Sequence, residues 1–376
     1  MSPRILHVLT SPDFVDVVAR SFESAAPGAN KYLCVGFEPE EIRTQLALES
    51  ARIDEGAATA RELSRHVEDS DIAVFHSVNL LVASALTSAP QRVLRVWSGW
   101  GWDYYGTARD RLGGQLAPLT KALTRRRQPL TSIPRSAVND ILVARELARA
   151  ARSSDVFSAP IPQDEAVFRR RFGGFSGHYQ QLNYATVEDT LASGPDAVTG
   201  DSLLVGNSAS PTNNHLDAFE AIAAQDIGSS RVVVPLAYGD RDYAGHVIAR
   251  GTSLFGSRFV PLRDFMPLDE YHELMSACSV IVLPHWRQQG MGNVLRALWQ
   301  GAHVVLDRKN PVAAYLQSIG AEYHVLDRCG LGDLARSPVD ATKREAHRRI
   351  LREYWSRDAA ANNVRALLDL ASAKCE

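Results

Sequence analysis

Seven consecutive positions carry the residue types best suited to hold a phosphate. Arg287, Gln288, Gln289, Gly290, Gly292 and Asn293 lie between a buried apolar run ending at Pro284 and a helix-like run ending at Gly301. The two glycines let the backbone approach a ligand closely. A helix opening near Asn293 aims free N–H groups and its positive end at the same point. Arg287 adds a forked cation that matches phosphate oxygens. The expected chemistry is a diphosphate cradle; the structural alternative is a tight turn in which the glycines only permit packing. A second stretch repeats the layout. The apolar run Leu203-Leu204-Val205 enters Gly206-Asn207-Ser208, and a helix opens near Asn213. Asn207 and Ser208 can hydrogen-bond a phosphate or a sugar, while Thr212 or Asn213 caps the helix. A third loop follows the apolar run ending at Pro235, and its Tyr238 can stack on a base or sugar ring or stand as a surface aromatic.

Proton transfer needs a base. Asp13, His76 and Asp103 each follow a strand-like run. Asp103 sits among Trp97, Trp100, Trp102, Tyr104 and Tyr105. That setting suits sugar stacking and raises a carboxylate pKa by desolvation. Against these roles stand plainer ones: Asp103 as a loop cap, His76 as a satisfied strand-end histidine, Asp13 as a helix cap. His7, inside an apolar strand, reads as structural. Asp240-Arg241-Asp242 spells a DxD triplet, a motif that can hold a divalent cation. Three residues recur by chance, and these begin a helix more naturally. No metal and no cofactor are expected, and Cys34, Cys278, Cys329 and Cys375 form no ligand spacing.

The elements that must position these residues alternate. Strand-like runs at Arg4–Leu9, Tyr32–Val35, Ile72–His76 and Arg92–Trp97 are separated by helix-like pieces, with Glu40–Val67 largely helical. The pattern restarts with strands at Leu203–Val205, Arg231–Pro235, Arg258–Pro261, Val280–Leu283 and His303–Leu306. Such alternation predicts parallel sheets with helices on both faces. The expected division is 1–172 as an acceptor-binding Rossmann-like domain, 173–201 as linker, 202–340 as a nucleotide-sugar-binding Rossmann-like domain, and 341–376 as a helical tail. The expected class is α/β of the GT-B type: two facing Rossmann-like domains with a C-terminal helix crossing back. Periplasmic-binding-like proteins and some epimerases share this outline. The first lacks its signal sequence here, and the second needs clustered acids and histidines in the second half.

The chain has 376 residues and a formal net charge of −2. That charge excludes nucleic acid as a bulk electrostatic partner. It averages over a segment, 92–171, with fifteen Lys and Arg against seven Asp and Glu, a net +8. Arg125, Arg126, Arg127, Arg169, Arg170 and Arg171 belong to it. They are either a solvated face or a peripheral contact with anionic lipid. No apolar run reaches the length of a membrane span, so the expected location is cytoplasmic, peripheral at the inner membrane face.

LLVGNS at 203–208, VVVPLAYG at 232–239, the run 287–292 and Asp307-Arg308-Lys309-Asn310-Pro311 resemble the TDP-N-acetylfucosamine:lipid-linked-disaccharide N-acetylfucosaminyltransferase family, glycosyltransferase family 56. So do Ile5–Leu9, Phe75-His76 with Asn79, and Trp97 through Tyr105. The resemblance implies a GT-B enzyme that moves an acetamido-dideoxy sugar from a TDP donor to a polyprenyl-diphosphate-linked glycan in bacterial surface-polysaccharide assembly. It places Asn310 at the donor site. Positions 106–200 match little, and WSGWGWD carries two added tryptophans, so the acceptor is expected to differ. The acidic pair of Glu-x7-Glu transferases falls on Gln288 and Arg296, neither of which is a carboxylate. A non-catalytic nucleotide-sugar-binding protein on the same scaffold is the alternative reading.

Overall fold

The computed structural model describes residues 3–375 except 14, 57, 107–113, 127–132 and 192–193. It divides into two compact units. The first comprises 1–108, 133–186 and 355–376; the second comprises 109–132 and 187–354.

The first unit holds a seven-stranded parallel sheet. Its strands are β1 (Ile5–Leu9), β2 (Asn30–Val35), β3 (Glu49–Ile53), β4 (Ile72–His76), β5 (Leu94–Ser98), β6 (Val156–Ser158) and β7 (His178–Tyr179), in the order β3-β2-β1-β4-β5-β6-β7. β1 and β4 are buried along their whole length, as a parallel strand covered on both faces must be. One face packs under Leu63, Val67, Val82, Leu86 and Ala150; the other packs under Val18, Phe22, Val364 and Leu367. The last two lie on the helix Arg357–Cys375, which therefore returns to the first unit.

The second unit repeats the plan with six strands: β8 (Ser202–Val205), β9 (Val232–Pro235), β10 (Phe259–Leu262), β11 (Cys278–Leu283), β12 (His303–Leu306) and β13 (His324–Val325), in the order β10-β9-β8-β11-β12-β13. In both sheets the strand order reverses once, between β1 and β4 and between β8 and β11. Ligands of such sheets bind at this switch point, beyond the carboxyl ends of the strands. The loops after β8 and β11 are the two glycine-bearing stretches.

Three boundaries differ from expectation. Glu40–Val67 is a short 3-10 turn, strand β3 and the helix Thr59–Glu68. β3 is an edge strand with only Ile53 buried, so it lacks the alternation that marks a strand in sequence. The 173–201 stretch carries β7 and a π-turn at Val187–Leu191, and the units divide within it. The helix Pro118–Arg126 goes with the second unit, not with the first. Asp217 accepts from Leu119 N at 2.8 Å, Thr120 N at 3.0 Å and the Thr120 hydroxyl at 2.9 Å, so it caps this helix from the helix His215–Ala223.

Candidate active site

In the second unit, Gly290 and Gly301 flank the helix Met291–Gln300 in left-handed conformation, with φ of 69° and 83°. Gly290 turns the chain off β11 so that the helix starts at the switch point. Gly292 is exposed, and a Cβ built on it meets nothing within 4 Å. A side chain at this position would point into open space.

Around this opening the loops are tied together. Gln289 Oε1 accepts from Thr212 Oγ1 and from Arg287 Nε, each at 2.7 Å, while its Nε2 donates to Asn207 Oδ1 at 3.0 Å. Asn207 Nδ2 in turn donates to the hydroxyl of Tyr238 at 3.2 Å. Gln289 thus fixes Arg287 beside the loop that carries Asn207. Asn293 Nδ2 donates to the Tyr271 hydroxyl at 2.9 Å.

Beneath these loops lies a buried polar hub that the sequence reading did not single out. Asn213 Oδ1 accepts from Asn207 N and pairs with His285 Nε2, both at 2.8 Å. Its Nδ2 donates to Ser208 Oγ and Ser210 O, each at 3.1 Å. One amide therefore joins the β8 loop to the β11 loop. Gly206 (φ 74°) is required by this arrangement: a Cβ there falls 2.5 Å from His215 Nε2 and 2.7 Å from Asn213 Oδ1. Burial drives His215 down to about 3, and burial followed by the Arg287 charge holds His285 well below the usual histidine range. Both imidazoles are neutral at pH 7. The signal in sequence was each residue's place: His285 follows the strand end directly, and Asn213 and His215 flank a helix start.

Two expected donor residues turn inward. Asn310 caps the helix Pro311–Ser318 through Val312 N (3.0 Å), and its Nδ2 reaches Leu283 O at 3.4 Å. Ser208, only 2% exposed, accepts from Asn213. Gln288 is buried as well. Arg296 faces away from the loop: it is fully buried and donates to Leu191 O and Pro195 O, both at 2.6 Å, with burial lowering its pKa to about 10. It ties Leu191 and Pro195 to the helix Met291–Gln300. Asp240 caps the helix Arg241–Phe255 by accepting from Tyr243 N at 2.9 Å. Pro235 closes β9, and Tyr238 stays exposed.

In the first unit the aromatic cluster separates into core and surface. Trp97 is fully buried against Phe168 and Phe172. Tyr104 and Tyr105 donate their hydroxyls to the buried Asp164 at 2.6 and 2.7 Å. None of the three is placed to stack on an acceptor. Trp102 is exposed and Trp100 half-buried. Asp103 is the loop organiser: it accepts from Trp97 Nε1 (2.7 Å), Trp100 N (3.0 Å) and Val78 N (3.2 Å). Burial pushes its carboxyl up to about 6, with these donors opposing. Both oxygens accept hydrogen bonds and the side chain is buried, so the structure shows it ordering this loop. Asp13 is exposed beyond β1 and accepts only from Ser11 Oγ, at 2.9 Å, among the described residues. His76 is buried at the end of β4.

The basic residues also separate. Arg125 is exposed on the second unit; Arg127 and the side chain of Arg126 lie outside the described residues. Arg169 pairs with Glu165 (2.8 Å) and stacks over Phe175, Arg170 is exposed, and Arg171 lies over Phe172. Among the described residues no helix is long and apolar enough to cross a membrane.

Two Rossmann-like sheets, with a glycine loop and helix start at the switch point of the second, define a GT-B fold. Solved structures agree with it. The chain is similar to Anabaena HepE in complex with UDP and glucose (12% identity, TM-score 0.61, covering 98% of this chain and 100% of that one). It is similar to a glycosyltransferase from Rickettsia africae (9%, 0.62, 99% and 98%) and to an Escherichia coli trehalose-6-phosphate protein bound with UDP-2-fluoro glucose (9%, 0.63, 98% and 99%). In sequence, residues 182–326 match the model described as 4-alpha-L-fucosyltransferase, glycosyl transferase group 56. The match spans both glycine-bearing loops, and the chain is a glycosyltransferase.

Proposed function

We propose that the chain transfers an acetamido-deoxy sugar from a TDP-sugar to a polyprenyl-diphosphate-linked glycan in bacterial surface-polysaccharide assembly. The observation that carries this reading is the opening at Gly292. Gly292, in the first turn of the helix, faces open space, and Arg287, held by Gln289, lies on the loop that leads into that turn. A diphosphate placed in this space accepts hydrogen bonds from the first-turn N–H groups and lies beside the Arg287 guanidinium. As the glycosidic bond breaks, charge builds on the departing diphosphate, and these fixed donors stabilise it. Tyr238 stacks on the base or sugar.

In the first unit Asp13 is the general base that takes the acceptor hydroxyl proton. It is the one member of the Asp13, His76 and Asp103 set whose carboxylate is open to solvent. Trp100 and Trp102 supply the acceptor platform. No metal enters this scheme. The exposed Arg125 and Arg170 suit contact with anionic lipid at the inner membrane face.

The test is transfer of label from TDP-, UDP- and GDP-sugars to a polyprenyl-diphosphate-linked N-acetylglucosamine in liposomes, with and without EDTA. Transfer from the TDP donor alone, unaffected by EDTA and cut by Asp13→Asn at least about 100-fold, is the expected result. Transfer at full rate in Asp13→Asn removes it as the base.

A further inference from the structure

The first unit contains a row of buried polar side chains that neither its core nor the scheme above requires. Asn30 on β2, His7 on β1 and His76 on β4 cross the sheet in a line. His7 Nε2 lies 3.3 Å from Asn30 Oδ1, and His7 Nδ1 lies 3.0 Å from His76 Nε2. The direction of every proton along the row is set at one end. Asn30 Nδ2 donates to Glu23 Oε1 (3.0 Å) and Ala26 O (2.9 Å), so its oxygen must face His7. His7 therefore carries its proton on Nε2 and offers Nδ1 as an acceptor. His76 fills that acceptor with its own Nε2–H, which leaves His76 Nδ1 bare.

That nitrogen is buried and has no hydrogen-bond partner among the described residues. Such an atom costs free energy unless something fills it. It borders a small pocket whose wall includes Ser98, Trp100, Asn183 and Tyr184, with ≈ 10 Å³ of room. The space admits one oxygen-sized group and no more. Ser98 sits opposite His76 on β5, and the Trp100 ring is centred 6.3 Å from the imidazole. Burial drives the His7 pKa down to about 4 and holds that of His76 well below the usual range. Both rings are neutral, so an uncharged donor suits the pocket and a cation does not.

We infer that His76 Nδ1 is a hydroxyl-recognition point: it accepts the hydrogen bond of one hydroxyl of the acceptor sugar, and Asn30 and His7 are positioning residues that fix its tautomer. The inference rests on the glycosyltransferase reading and deepens it. A buried acceptor of this kind discriminates strongly against an analogue that lacks the hydroxyl, because the nitrogen is then left unpaired.

The experiment is nitrogen NMR of the full chain with labelled histidine, free and with glucose, galactose, mannose or N-acetylglucosamine at high concentration. The free protein is expected to show His76 protonated on Nε2 and bare on Nδ1. At least one sugar is expected to shift the Nδ1 resonance toward its hydrogen-bonded value while Nε2 stays put. The opposite tautomer in the free protein, or an Nδ1 resonance that no sugar moves, overturns the inference. In the transfer assay His76→Leu is expected to raise the acceptor KM about 10- to 100-fold. His76→Asn, whose amide oxygen can occupy the place of Nδ1, is expected to recover most of that loss; equal KM in both variants also overturns it. Nucleotide binding by the wild-type chain separates the two failures. If no nucleotide binds, the glycosyltransferase reading falls; if nucleotide binds and His76 does not respond, only this inference falls.

Discussion

Replacing Gly292 with Ala separates folding from donor binding at a single position. The residue lies in the first turn of Met291–Gln300, is exposed, and its added Cβ meets nothing within 4 Å. Its φ lies outside the left-handed region, so Ala adopts it without strain. On folding grounds alone the change gains stability, because Gly in a helix costs up to about 1 kcal/mol relative to Ala. The methyl, however, enters the space where the first-turn N–H groups meet the diphosphate. Loss of one hydrogen bond to a charged group is worth about 1.5–3 kcal/mol, or about 10- to 100-fold in Kd. Gly206→Ala is the contrast. There the backbone is left-handed, costing about 1–2 kcal/mol for a residue with a Cβ, and the new atom lies within 2.7 Å of both His215 and Asn213. That variant is expected to lose stability and donor affinity together. Urea unfolding and calorimetric titration with nucleoside diphosphate read the two effects separately. A Gly292→Ala protein that is as stable as wild type or more so, and binds donor equally well, refutes the cradle.

Two further outcomes follow from the buried hub and the imidazoles. Asn213→Ala leaves the Asn207 N–H and the His285 Nε2–H without their acceptor; a loss of about 2–5 kcal/mol is expected, read by urea unfolding, together with a weaker nucleotide Kd. Acid should destabilise the fold. The folded pKa values of His7 (about 4) and His215 (about 3) lie below their unfolded value of 6.5. The unfolded chain therefore takes up protons first as pH falls through 6.5, and stability drops. Between pH 7 and pH 5 each costs about 2 kcal/mol, with His76 and His285 acting in the same direction. Asp103 acts oppositely: its folded pKa of about 6 exceeds the unfolded 3.8, so protonation returns about 1 kcal/mol over that range. Urea midpoints that match at pH 7 and pH 5 contradict this balance.

Much of the second unit's candidate site was legible because its signals are local. Strand, glycine loop, helix and closing glycine follow one another within 278–301, and the structure keeps that order with Gly290 and Gly301 both left-handed. The aromatic cluster of the first unit was harder to read because its signals are not local. Trp97, Tyr104 and Tyr105 look like a binding platform in sequence. Their burial is decided by Phe168, Phe172 and Asp164, some sixty to seventy-five residues further on. The same holds for Asp103, whose carboxyl is pushed up by burial but whose oxygens are used by three N–H donors. Asn310 and Ser208 lie on matched stretches yet point inward, since a polar residue beside a loop serves as a cap as readily as a ligand. Helix Pro118–Arg126 joined the second unit through Asp217, a contact spanning about a hundred residues that periodicity cannot reveal.

The most direct measurement is calorimetric titration of the wild-type chain and of Arg287→Ala with TDP, UDP and GDP. The account predicts that the wild type binds TDP, and that loss of the guanidinium held by Gln289 weakens binding at least about tenfold while leaving the urea midpoint in place. No nucleotide binding at millimolar concentration, or an Arg287→Ala protein that binds as tightly as wild type, contradicts it.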